Sequence, residues 1–184
     1  MNIVDLSKVG NYTNFYNKNL SSKSIYPDPI EILNLNSSES KSSVKFNVLP
    51  YRYVSEDIKV VKYYMEKRFI KAYFERNYKT DMINSPDHLV FLSSLVHLQK
   101  MIYLYLCYEF NVPISISGKE KIKVWPTKIN IDMKNLITKK KDLTQSIKIK
   151  ALRKTGPKTY FGKCESLIND GESRICADAV IYIL

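Results

Sequence analysis

Two spacings of apolar residues divide the chain. "IKVVKYYME" (58–66) and "RFIKAYFERNYK" (68–79) are rich in β-branched and aromatic residues. In the second segment Ile70, Ala72, Phe74 and Arg76 alternate with Phe69, Lys71, Tyr73 and Glu75. A period of two is that of a strand, so the segments predict two antiparallel strands broken at Glu66-Lys67-Arg68. The spacing then changes. "SPDHLVFLSSLVHLQKMIYLYLCYEF" (85–110) is the most apolar run, and its residues from Met101 to Phe110 are nearly all apolar. Ser85 suits a helix cap, Pro86 a first helical residue, and Asp87 the positive end of a helix dipole. A helix apolar almost all round its second half is a buried helix. Its length could span a bilayer, but His88, His97, Gln99, Lys100 and Glu109 interrupt it. The uninterrupted run Met101–Tyr108 is too short for a membrane span.

After Val112-Pro113 the period of two returns. "KIKVWPTKINIDM" (121–133) is one extended segment in which Pro126 marks an edge or a bulge. "LTQSIKIKALRK" (143–154), "KTYFGKCESLI" (158–168) and "SRICADAVIYIL" (173–184) form a meander of three antiparallel strands. Gly156-Pro157 and Asn169-Asp170-Gly171 supply its turns. Residues 1 to about 45 are different: "YNKNLSSKS" and "NLNSSESKSS" are Asn- and Ser-rich and weakly periodic. They predict a polar, partly ordered arm, with a short helix at "DPIEILNL" started by Asp28 and Pro29. The domain proper then runs from 46 to 184.

Charge changes the picture in one region. Residues 119–163 carry 14 Lys/Arg against 3 Asp/Glu, a local +11 that equals the net charge of all 184 residues. The remainder is neutral. Such a surface attracts phosphates, anionic carriers or nucleic acid, or it is a solvated lysine-rich face. No nucleic-acid-binding motif is present, and the basic residues are scattered along the sequence without an obvious aromatic platform. A nucleic-acid partner is therefore not expected. Cys107, Cys164 and Cys176 show neither disulfide nor zinc spacing, which predicts buried thiols in a reducing cytoplasm. The N-terminal residues lack the pattern of a secretory signal.

The order hairpin, single helix, strand meander predicts an α+β domain in which an antiparallel sheet wraps one long central helix. This order, with "LRKTGPKTYFGKCESLINDGESRICADAVIYI", resembles the hotdog fold of acyl-thioester enzymes. Within that group "LPYRY" and "AYFERNYKTDMINSPDHLVFLSSLVHLQKMIYLYL" are most similar to the FcoT-like long-chain acyl-CoA thioesterases. The likeness covers about residues 48–184. It implies a homodimer or higher oligomer, and hydrolysis of an acyl thioester carried on coenzyme A or an acyl carrier protein. It implies no cofactor beyond the coenzyme A or phosphopantetheine of the substrate. More distantly, the hydroxyacyl-carrier dehydratases share the pattern.

The resemblance also marks residues. Tyr51 matches a site tyrosine before the first strand, and Gln99 stands where the family has an asparagine in the helix. Val90 and Met82 replace two further polar positions, an asparagine and a tyrosine. His88, near the helix start, corresponds to the dehydratase base, but no Asp or Glu occurs from Leu89 to Tyr108 to assist it. Tyr51, His88 and Gln99 are thus the catalytic candidates. Ser94 and His97 are substrate-binding candidates on the helix. Ser93 and His97, four residues apart, share a helix face but lack a visible orienting acid. Arg153, Lys154 and Lys158 surround the "TGP" turn as candidates for phosphates or an acidic carrier.

Overall fold

The computed structural model describes residues 2–5, 30–33, 41–49, 52–81, 83–84, 87–112, 114 and 121–184. Nine strands form one sheet: β1 (Asn2–Asp5), β2 (Ile30–Leu33), β3 (Lys41–Leu49), β4 (Arg52–Glu66), β5 (Phe69–Thr80), β6 (Ile122–Met133), β7 (Leu143–Lys154), β8 (Thr159–Ile168) and β9 (Ser173–Ile183). Their order is β1-β2-β4-β5-β7-β8-β9-β6, and β3 also pairs with β4. Only the β1–β2 pair is parallel. The helix α1 (Phe91–Glu109) lies between β5 and β6 in the chain. Among the described residues, an antiparallel sheet with one α-helix is the α+β arrangement that the alternation predicts. Among the described residues no helix is long and apolar enough to cross a membrane.

Two expectations are corrected. Ile30–Leu33, inside the expected short helix, is strand β2, because it pairs antiparallel with Lys62–Met65 of β4. The arm of residues 1–45 therefore supplies strands to the sheet edge, and β3 straddles residue 45. The helix is also shorter than expected, 19 residues, and starts six residues after Ser85. Ser85 and Pro86 lie outside the described residues. Val90 is the N-cap and makes no side-chain cap; its N–H instead donates to Glu56 Oε2 at 2.9 Å. A carboxylate on a strand 34 positions earlier has replaced the local cap.

Glu56 belongs to a saturated buried network. Its Oε1 accepts from Arg76 Nη1 at 2.8 Å, and both side chains are fully buried. Arg76 Nη2 pairs with Asp87 at 2.5 Å and donates to Thr138 O at 3.3 Å, and its Nε donates to Lys139 O at 2.9 Å. Burial would raise the Asp87 carboxyl, but hydrogen bonds from Lys140 and Arg76 outweigh it and hold it below its usual range. Asp87 thus anchors a loop rather than complementing the helix dipole. A buried ion pair survives desolvation only when its atoms are hydrogen-bonded, and here each guanidinium nitrogen and each Glu56 oxygen has a partner.

The helix C-terminal half is packing, as its composition predicts. Met101 and Leu104–Tyr108 are buried with Ile58, Met65, Ile70, Phe74 and Ile147. Tyr105 ties this end to the β4–β5 turn: its hydroxyl accepts the Arg68 N–H at 3.0 Å and donates to Glu109 at 2.7 Å. The other flank is less covered than a wrapped helix requires. Phe91 and Gln99 are exposed, and Leu92, Leu95, Val96 and Ile102 are half-buried.

Removing one member of the buried network leaves the other charge unpaired. Arg76→Met is expected to cost about 3–5 kcal/mol of folding stability in urea denaturation. Lys140→Ala, at the exposed end of the same network, is expected to cost under about 1 kcal/mol. Equal losses would show that burial of the pair is not what matters.

Candidate functional site

Strand β7 places Leu143, Gln145, Ile147 and Ile149 on the face toward the helix, all buried. Gln145 is the polar exception in that row. Its amide N–H groups donate to Ser166 Oγ of β8 at 3.0 Å and to Ser94 O of α1 at 3.4 Å. Its oxygen is therefore the atom that meets His97 Nδ1, at 2.8 Å. That fixes the imidazole: Nδ1 carries the proton and donates, and Nε2 holds the free lone pair. His97 is wholly buried, with the Tyr63 and Phe74 rings 6.3 and 5.1 Å from it. Among the described residues its Nε2 and the buried Ser93 Oγ find no hydrogen-bond partner. Burial pushes His97 down to about 4; Lys100 adds to the fall, and the Gln145 hydrogen bond opposes it. At neutral pH the site is an uncharged imidazole presenting a basic nitrogen to an apolar interior.

Of the other expected residues, Ser94 shares this network, whereas His88, Gln99, Arg153, Lys154 and Lys158 stand elsewhere. Tyr51 lies outside the described residues. His88 precedes the helix by three positions and is half-buried against the Tyr78 ring at 6.1 Å. Gln99 is exposed, because two helical steps turn it about 200° from His97. It also sits about 12 Å along the axis from Phe91, so His88 and Gln99 are at different levels of the helix. Ser94 is buried and donates through Oγ to Val90 O at 3.4 Å. Ser93 and His97 do share the buried face. Arg153 and Lys154 end β7, and Lys158 precedes β8; all three are exposed. Eight residues of strand, roughly 25 Å, separate Arg153 from Gln145.

Sequence reasoning missed Gln145, Ser166 and Glu56. Each carried a signal: a polar residue at an inward position of an apolar alternation. Arg76 shows the same break, in register with Ile70, Ala72 and Phe74. Two of the thiols are buried as expected, and burial pushes Cys107 up to about 12 and Cys164 up to about 11, whereas Cys176 is half-buried because its side chain faces away from the core on β9. One reading of the charge changes. Cations scattered along the sequence are brought by strand register beside aromatic residues on the sheet face away from the helix. Trp125, Phe161 and Arg153 stand in one cross-strand row.

No protein-family model matches the chain, and no curated protein is similar enough in sequence to be matched. Among solved structures, a thioesterase from Haemophilus influenzae aligns over 69% of this chain and 79% of its own, at 11% identity and a TM-score of 0.44. A mutant thioesterase from Pseudomonas aeruginosa aligns over 69% and 82%, at 12% identity and a TM-score of 0.41. The PaaI protein of the E. coli phenylacetic acid degradation operon aligns over 69% and 79%, at 12% identity and a TM-score of 0.38. Scores of this size transfer neither an activity nor a residue role.

The depressed His97 pKa links stability to pH. The unfolded chain binds a proton near 6.5 that the folded chain refuses until about 4. This contribution is therefore complete above about pH 6.5 and is lost as pH falls to about 4, on the order of 3 kcal/mol in all. Thermal melts from pH 7 to 4 should show the loss, and His97→Gln should flatten that part of the profile. A His97 imidazole titrating near 6.5 by NMR in the folded protein, identified by its loss in His97→Gln, would contradict the assignment.

Proposed function

We propose that the chain binds and hydrolyses an acyl thioester as a hotdog-type homodimer. The observation that carries the reading is the neutral His97, fixed by Gln145 and open at Nε2, inside an interior otherwise suited to an acyl chain. The supporting argument is the order of elements, hairpin, helix and meander, on which the resemblance to acyl-thioester enzymes rests. In this reading the long acyl chain lies along the helix beside His97 and Ser94. His97 Nε2 accepts a proton from the water that attacks the thioester carbon, the C–S bond breaks, and the same proton passes to the leaving thiolate, while Gln145 holds the ring. Tyr51 supplies a phenol to the thioester carbonyl, and His88 lines the entrance near the helix start. Coenzyme A or phosphopantetheine arrives as part of the substrate, and no resident cofactor is needed.

The dimer rests on β6, which ends the described sheet. Lys134 donates its N–H to Glu172 O beside β9. The alternation then turns the backbone groups of Ile129, Ile131 and Met133 to the free edge. Their side chains, on the helix side, are 42, 39 and 37% exposed. An apolar edge of this kind is a template for strand pairing. A two-fold axis at Asn130 would set Lys128 of one copy opposite Asp132 of the other, twice. Gln99, on the open helix flank, then serves a site completed at the subunit contact.

Incubation with acyl-coenzyme A and acyl-carrier substrates of graded chain length should release free thiol. His97→Gln should lower kcat/KM at least tenfold without loss of helical circular dichroism. Absence of thiol release at every chain length on both carriers would overturn hydrolysis. Light scattering should give twice 21.5 kDa for the parent chain. Ile131→Lys should return it to the monomer mass; a parent chain that is already monomeric would overturn the dimer.

A further inference from the structure

We infer that the outer face of the β6-β9-β8-β7 sheet, at the end holding the β7–β8 hairpin, binds single-stranded nucleic acid. The register builds the surface. On β9, Ile181 is buried toward the helix, so its neighbours Val180 and Tyr182 face outward. Val180 is opposite Trp125 on β6 and Phe161 on β8, and Phe161 is opposite Arg153 on β7. Tyr182 is opposite Lys123 and Thr159 in the next row. Trp125 is 62% exposed and Tyr182 41% exposed. Tyr182 is thus the diagonal neighbour of both Trp125 and Phe161, and such neighbours stand roughly 7–8 Å apart. Successive bases of an extended strand can each meet a ring there.

The charges fit the same ligand. Farther along this face carboxylates hold three of the cations: Glu165 holds Lys150 and Arg174, and Asp178 holds Lys163. At the aromatic end Lys123 and Arg153 face outward and Lys158 lies at the hairpin, none with an ion-pair partner among the described residues. Lys121 joins them, because Leu184 N–H bonds to Lys121 O and Ile183 N–H to Lys158 O. Lys163 also lies over the Phe161 ring at 5.7 Å. Aromatic planes for bases, ringed by unneutralised cations for phosphates, are the chemistry of sequence-tolerant single-strand binding. A duplex hides its bases from such a face. The inference is independent of thioester hydrolysis, since it uses the opposite side of the sheet from His97.

The test uses the full chain with a fluorescein-labelled 12-nucleotide oligouridylate and a 12-base-pair duplex. Anisotropy should give a dissociation constant in the micromolar range at low salt for the single strand. Its log–log salt slope should be about −3, as for roughly four phosphate contacts. Trp125 is the single tryptophan of the sequence, so its emission should be quenched by unlabelled strand. Trp125→Ala and Tyr182→Ala should each weaken binding roughly tenfold. Lys123→Glu should weaken it similarly, and Lys139→Ala with Lys141→Ala should leave it within twofold. Binding of the duplex as tight as the single strand, unquenched Trp125 at saturation, or no binding at low salt would overturn the inference.

Discussion

The buried pair of Glu56 and Arg76 holds the positions of everything around it. One carboxylate takes the guanidinium of β5 and the backbone N–H at the helix start. The guanidinium in turn fixes the carbonyls of Thr138 and Lys139 in the segment that leads into β7. Leu89 N–H to Ile137 O at 2.8 Å completes the same junction. Helix entry, hairpin and meander are thereby referenced to a single charge pair. The helix angle on the sheet decides which residues face inward, so the depth of His97 follows from a contact two turns away.

This explains what was legible in the sequence. The six strands from β4 to β9 follow from period-two alternation and from turn residues, which are local properties. Pro126 was read as an edge or a bulge, and both are found: β6 is an edge, and its register shifts between Pro126 and Lys128. The helix start was misread because Ser85-Pro86-Asp87 is a good local cap, and local rules do not contain Glu56. The short helix expected at Ile30–Leu33 failed for the same reason, since its pairing partner lies in β4. Of the candidate site, His97 and Ser94 could be named from the helix face. Gln145 needed the knowledge that β7 and the helix meet. A polar residue in an apolar row is visible in sequence, but its partner is not.

The two faces of the meander are chemically distinct, and the register keeps them so. Inward, the polar exceptions Gln145 and Ser166 bond to each other, so they add hydrogen-bonding specificity without unpaired amide groups. Outward, charge compensation is uneven along the strands. Ion pairs hold Lys150, Lys163 and Arg174, whereas Lys121, Lys123 and Arg153, beside the aromatic residues, have none among the described residues.

The bulge between Pro126 and Lys128 bears on how this protein can vary over time. The extra residue lets Trp125 and Lys128 face outward together while Val124 and Ile129 face inward. Deletion of that one codon would remove the bulge and still leave Lys128 opposite Asp178 and Ile129 opposite Ala177, so both faces would be kept. Deletion of a codon in the regular part, at Asn130, would instead turn Ile131 and Met133 to water and Asp132 toward the helix. Point substitutions along β6 change one side chain at a time, but an indel outside the bulge reverses every side chain beyond it. Drift in length should therefore be confined to the turns and to the bulge itself.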